Sequence, residues 1–247
     1  MYSYFKNIIL GSDQIWNHTY NFRRIPYNLG LFGDTFKGRV FSYAASFGTD
    51  YIPSSFDYIY YYGLSKIYKI GVREYKGLNI INDLGFSAVI NLDPTLLLDT
   101  HDWNLAIHSY SKIKIPKKYL LFYSLGGTCK NRQDAQDLAI KNSLLFVDAS
   151  DKKSQYYCIN HFDFINLIKN AEIVYTNSFH AFAFSYIFKN RLYLFKKQGM
   201  NSRFETFFSI IQHPVVYDKL IDLSILNNNS ILKLSHSSIL YILSSLS

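Results

Sequence analysis

Short apolar runs that each stop at a small polar or charged group constrain this chain most. Asn7–Leu10 ends at Gly11-Ser12-Asp13, and 39–45 ends at Ser46-Phe47-Gly48. Residues 68–72 end at Arg73-Glu74, and 88–92 end at Asp93-Pro94-Thr95. Runs of this length read as strands, and their alternation with helical stretches predicts an α/β fold. In open parallel sheets the carboxyl ends of the strands line the ligand crevice. The groups at these four ends are therefore the first candidates for a site.

The second half repeats the pattern. Strands are expected at 119–124, 144–148 and 173–175, and helices at 162–170 and Phe179–Phe188. In the first of these helices Phe164, Leu167 and Ile168 share one face. Residues 231–246 form an apolar, Ser-rich tail that suits a final helix. The polar, basic stretch 109–118, with Pro116, is the linker candidate. At 247 residues the chain is long enough for one large or two small domains. The expected division is 1–112 and 113–247, the second part ending in the C-terminal helix. Residues 173–188 carry no Asp, Glu, Lys or Arg, but Thr176, Asn177, Ser178, His180 and Ser185 interrupt them. They read as a buried strand and helix and not as a membrane span.

Lys and Arg total 26 against 18 Asp and Glu, a formal charge of +8. The basic residues fall in short scattered clusters, with no stripe and no nucleic-acid motif, so nucleic acid is not an expected partner. Phosphorylated substrates, or peripheral contact with an anionic membrane surface, fit the charge better. Cys129 and Cys158 share no metal spacing, and no metal site is expected. The first ten residues carry one Lys and a short apolar run, Asp13 follows at once, and no small-residue cleavage site is present. That is not the pattern of a signal peptide, so a cytoplasmic location is expected.

The sharpest segment is 171–185. A strand delivers Asn177, Ser178 and His180 into the first turn of a helix, where free N–H groups and the dipole suit an anion. The dipole disfavours an imidazolium there, and a bound phosphate would favour one. The bland alternative is a histidine packed in an apolar turn, with Asn177 or Ser178 as the helix cap. In Gly11-Ser12-Asp13-Gln14-Ile15-Trp16-Asn17, glycine permits close approach, Asp13 and Gln14 project at the strand end, and the Trp16 ring suits stacking on a sugar or capping a pocket. Asp13 could equally cap the next helix. Arg73 can fork onto carboxylate or phosphate, or pair internally with Glu74. Arg203 follows a glycine break at Gly199 and, taken by itself, reads first as a surface arginine. Asp93-Pro94-Thr95 looks like a stiff strand exit whose Asp accepts local N–H bonds.

Taken together, these blocks resemble the polysaccharide pyruvyl transferase family. They are Gly-Ser-Asp-Gln-Ile-Trp-Asn (11–17), Ser-Tyr-Ala-Ala-Ser-Phe-Gly (42–48), Val-Arg-Glu (72–74), Asp-Pro-Thr-Leu-Leu-Leu-Asp (93–99), Thr-Asn-Ser-Phe-His (176–180) with Ala-Phe-Ser (183–185), and Met-Asn-Ser-Arg (200–203). They stand in family order and span about residues 7 to 205. Many members carry Gly where this chain has Ala181, and some carry Arg where it has Ser178.

The resemblance implies two Rossmann-like domains similar to the GT-B architecture, the first lacking the strand–turn–helix unit that members usually place upstream of the first block. It implies transfer of the enolpyruvyl unit of phosphoenolpyruvate to a sugar hydroxyl, giving a pyruvate ketal on a cell-surface polysaccharide or its lipid-linked precursor. The reaction would run at the inner face of the membrane, with phosphoenolpyruvate as co-substrate and no other cofactor. The family's arginine and histidine map onto Arg73 and His180. His180 and Asp13 are then the catalytic candidates. Arg73, Asn177, Ser178 and Arg203 would hold the donor, and Ser12, Gln14, Trp16 and Glu74 the acceptor. Two other readings stay open: a relative that keeps the fold and binds without catalysis, and a nucleotide-sugar glycosyltransferase of similar architecture.

Overall fold

A computed structural model gives the structure of the chain, with residues 5–32, 36–196 and 201–247 described. In chain order, the elements through residue 97 are β1 (Asn7–Leu10), α1 (His18–Asn21), α2 (Ile25–Asn28), β2 (Arg39–Ser42), α3 (Asp57–Leu64), β3 (Gly71–Val72), α4 (Tyr75–Asp83) and β4 (Val89–Ile90). Next come α5 (Thr100–Tyr110), β5 (Tyr119–Tyr123), α6 (Cys129–Lys141), β6 (Leu145–Asp148), α7 (His161–Lys169), β7 (Ile173–Thr176), α8 (Phe179–Phe188) and β8 (Arg191–Leu194). The chain closes with α9 (Ser202–Ile210), β9 (Leu220–Asp222) and α10 (Asn229–Leu246). The fold is mixed α/β, and its strands pair mostly in parallel.

The contacts divide the chain into two compact units. One comprises Met1–Leu97, Gly199–His213 and Asn228–Ser247, the other Leu98–Gln198 and Pro214–Asn227. In the first unit, β1 pairs in parallel with β2 and β3 with β4. Bridges Phe41↔Lys69 and Ala45↔Val72 join the two pairs. β2, β3 and β4 are shorter than the apolar runs that announced them. Past Ser42 the chain enters the left-handed region at Ala44, φ 47°, which regular strand geometry does not tolerate. The backbone bonding nevertheless carries on past the strand ends. Ala45 N donates to Gly71 O, Arg73 N to Ala45 O and Asn91 N to Val72 O, at 3.1, 3.1 and 2.8 Å. Asp13 also bridges to Ala45. These bonds align the carboxyl ends of all four strands.

Beneath them lies a core of buried side chains that includes Leu10, Trp16, Phe47, Tyr60, Leu64, Val72 and Ile81. Buried polar tips in it are satisfied: Tyr60 OH donates to Trp16 O at 2.6 Å, and Trp16 Nε1 to Asn28 O at 2.9 Å. The C-terminal helix α10 belongs to this unit and not to residues 113–247 as the sequence-based division has it. Its side chains satisfy backbone groups of the first strands, which would otherwise be orphaned. Ser238 Oγ accepts from Leu92 N at 2.9 Å, and Tyr241 OH donates to Ser42 O at 2.8 Å.

The second unit is a five-stranded sheet of order β6-β5-β7-β8-β9, parallel except for the antiparallel edge strand β9. Helices α6, α7 and α8 make the crossovers that parallel neighbours require. Leu120, Phe122, Ala135, Ala139, Ile173, Tyr175 and Phe195 are buried together in its core. Part of the stretch read as a linker is held inside this unit. One carboxylate oxygen of Asp163, in the first turn of α7, accepts from Ser111 Oγ, Lys112 N and Ile113 N at 2.8, 2.7 and 2.9 Å. Burial alone would raise the Asp163 pKa, but these bonds outweigh it and lower it. Residues 173–188 form β7 and α8, and among the described residues no helix is long and apolar enough to cross a membrane.

The close approach of β1 to the 43–45 turn makes a sharp prediction. Gly11 has φ +121°, and a Cβ on it would lie 2.2 Å from Tyr43 O. Gly85, at φ +84°, has nothing within 4 Å of that position. Gly11→Ala should cost about 3 kcal/mol or more in urea unfolding, and Gly85→Ala about 1 kcal/mol. Equal costs would contradict the described packing.

Candidate functional site

At the aligned strand ends of the first unit, charged side chains build on one another in order. Arg73 follows β3 and is 3% exposed, Asp93 follows β4 and is 2% exposed. Arg73 Nη1 donates to Asp93 Oδ2 at 2.5 Å, and Arg73 Nη2 to Asp13 Oδ1 at 3.0 Å. The Asp13 side chain is 60% exposed. Asp13 takes a left-handed backbone, φ 60°, beyond Gly11. One buried carboxylate thus anchors a buried guanidinium, which in turn fixes an exposed carboxylate.

Two more charges complete the cluster. Glu74 is fully buried, and its Oε1 accepts from Phe47 N at 3.0 Å and Gly48 N at 3.5 Å. Burial pushes its pKa up against the pull of Arg73 and Arg203. Arg203, on α9, is 8% exposed. Burial and then the like charge of Arg73 bring its pKa down to about 10. For Arg73 burial again opposes the charge, but Asp93, Glu74 and Asp13 together hold the guanidinium protonated.

The structure sorts the other candidates of the first unit. Ser12 is half-buried beside Asp13. The Gln14 amide sits between two donors. Turned toward Arg203, its oxygen accepts from Nη1 and Nη2 at 3.0 and 3.1 Å; turned away, it accepts from Asn17 Nδ2 at 2.7 Å. Trp16 and Glu74 correct the acceptor assignment. The Trp16 ring is fully buried against Phe47, with centroids 5.3 Å apart, and offers no face to a sugar. Glu74 uses its carboxylate to hold the 47–48 turn. Nor does Asp13 cap the next helix, since Asn17 does so through Thr19 N. The internal partners of Arg73 are Asp93 and Asp13, where the sequence offered Glu74.

In the second unit, β7 delivers its residues as expected. Ser178 is the N-cap of α8, its Oγ accepting from Ala181 N at 3.4 Å. Asn177 has both ends of its amide on one residue: Oδ1 accepts from Leu125 N at 2.8 Å, and Nδ2 donates to Leu125 O at 3.5 Å. These bonds commit Asn177 and Ser178 to the local fold, whereas the sequence placed them on the donor. His180, half-buried at the head of α8, has its ring 6.0 Å from that of Phe179.

Sequence reasoning missed Asp93 as part of the cluster. Its signal was present in the strand-end position, but the local bond to Thr95 N, 3.0 Å, accounts for only one oxygen. Gly199 and Met200, part of the segment that drew attention to Arg203, lie outside the described residues. Among the described residues no group of three or more His, Cys, Asp or Glu could hold a metal ion.

A family model described as polysaccharide pyruvyl transferase matches residues 4–189, well over half of the 247-residue chain. The match takes in Asp13, Arg73, Asp93 and His180 and ends before Arg203. No curated protein matches the chain.

The two partners of Arg73 should differ in what their loss does. Asp93→Ala leaves a buried guanidinium without its anchor and should cost about 3–5 kcal/mol in urea unfolding. Asp13→Ala removes an exposed partner and should cost about 1 kcal/mol or less. The reverse order would contradict the anchoring role of Asp93.

Proposed function

The chain belongs to the polysaccharide pyruvyl transferase family, and from that premise we propose that it transfers the enolpyruvyl unit of phosphoenolpyruvate to sugar hydroxyls. The product is a pyruvate ketal on a cell-surface polysaccharide or its lipid-linked precursor. The observation that carries this reading is the exposed Asp13 carboxylate fixed by a buried, twice-bonded arginine. A base held in one orientation by a neighbour is the arrangement general-base catalysis asks for.

In the proposed reaction, a proton adds to the methylene carbon of the donor and leaves an oxocarbenium-like centre. The acceptor hydroxyl oxygen attacks that centre as Asp13 takes its proton. Phosphate then departs, and a second hydroxyl of the same sugar forms the other C–O bond of the ketal, its proton returning to the carrier that protonated the methylene carbon. His180 is the proposed proton carrier. Arg203 is the proposed cationic partner of the donor's phosphate and carboxylate, and Arg73, whose two Nη atoms bond Asp93 and Asp13, lends the cluster its charge while holding Asp13 in place. Burial raises the Glu74 pKa, and Arg73 and Arg203 pull it back down. The two-domain GT-B-like architecture and a cytoplasmic reaction at the inner membrane face belong to the same proposal.

Phosphate release from phosphoenolpyruvate in the presence of a galactoside or N-acetylmannosamine acceptor tests it. Wild-type protein should turn over, and Asp13→Asn, Arg73→Ala and His180→Ala should each cut the rate by about a hundredfold or more. No turnover by folded wild-type protein, or near-normal rates in the variants, would defeat the reading.

A further inference from the structure

The C-terminal helix α10 is turned the wrong way round for a surface helix. Such helices ordinarily bury an apolar stripe and show water a polar one. In α10 the inward side holds Ser238 and Ser245, both fully buried, beside Ile231. Ser238 and Tyr241 bond the backbone of the first strands there. Leu232, Ile239, Leu240, Leu243 and Leu246 are left outside, 65, 42, 51, 58 and 45% exposed. Single exposed leucines are ordinary. Five on one side of one helix mark an interaction surface.

Their spacing says what kind. Leu232, His236, Ile239, Leu243 and Leu246 recur at steps of four, three, four and three. That is the 3.5-residue repeat by which two helices interlock their side chains along a seam. Leu240 flanks the seam, and the exposed His236 is its polar member. The helix is anchored where it presents the stripe. Lys69 Nζ donates to Ser244 O at 2.8 Å and Arg39 Nη2 to Ser247 O at 2.9 Å, which satisfies carbonyls of the last turn.

Charge and area choose the occupant. α10 contains one Lys and no Arg, Asp or Glu, so two identical helices meet along the seam without like-charge repulsion. The five exposed side chains leave roughly 450 Å2 of apolar surface open on each copy. Doubled by a two-fold axis, and with the rim around it, that reaches the roughly 1,000 Å2 that a specific interface needs. A bilayer fits less well. Interfacial helices edge their apolar face with many Lys and Arg, whereas α10 offers Lys233, and Arg39 and Lys69 are engaged with its carbonyls.

We propose that α10 is a dimer interface, on which a second copy of this chain lays its own α10 antiparallel about a two-fold axis near Ile239. Leu232 of one copy then packs on Leu246 of the second, twice by symmetry, and opposite helix ends adjoin, as their dipoles favour. The pairing is independent of the reaction proposed above.

Sedimentation velocity on the full chain, over a concentration series, tests it. The mass should rise toward twice the 28.8 kDa of one chain. Leu243→Glu puts a charge into the seam of both copies and should weaken the dimer about a hundredfold or more. Ile140→Glu, at a 75% exposed position on α6, should leave it unchanged. In a Cys129→Ser, Cys158→Ser background, Ile239→Cys should cross-link two copies under mild oxidation, and Ile140→Cys should not. A monomer at every concentration, a dimer indifferent to Leu243→Glu, or no cross-link through Ile239→Cys would overturn the proposal. So would a monomer that floats with phosphatidylglycerol vesicles and is released by Leu243→Glu, since the stripe would then belong to a membrane.

Discussion

The guanidinium of Arg73 is the group on which the first unit depends. Removing an arginine from water is expensive, and partners must supply the compensation in place. Asp93 supplies it from within the core, and Asp13 supplies the rest from the surface. That bridge is possible only because the sheet continues past its regular strands. The bonds from Ala45 to Gly71, from Arg73 to Ala45 and from Asn91 to Val72 bring three strand ends into line. Gly11 lets the fourth come close enough to place Asp13. Strand topology, backbone freedom and one charged chain thus fix the candidate base.

The buried surroundings of the cluster then set its chemistry. Glu74 holds the backbone at 47–48 with its pKa raised by burial, while Arg203 lies beside Gln14 and feels the like charge of Arg73. Low local polarity strengthens each of these interactions. The second unit is organised differently. A single Asn177 amide joins the ends of β5 and β7 beside the turn that carries His180.

Local signals in the sequence were read well where one element explains itself. β1 and α8 match the expected spans residue for residue, since an apolar run closing at Gly11 and a Ser-capped apolar helix carry their own punctuation. β3 and β4 kept only two residues each, because apolar character marks burial and not ladder geometry. β8 and β9 went unseen: Arg191-Leu-Tyr-Leu has no turn signal to frame it, and Leu220–Asp222 is short. At the site, Asp13 and Arg73 were legible as strand-end groups, but their pairing was not. The partners are 20 and 60 residues apart in the chain, and only the sheet brings them together. Trp16 was misassigned for the same reason, since a ring's identity does not say which side of a strand end it falls on.

Chemical rescue of Arg73→Ala tests the account most directly. If Arg73 works by holding Asp13 and Asp93 through a planar two-point grip, added guanidinium should restore phosphate release from phosphoenolpyruvate about tenfold, and methylammonium of the same charge should not. Equal rescue by both cations, or none in a folded variant, would contradict an arginine whose role is to position the carboxylate.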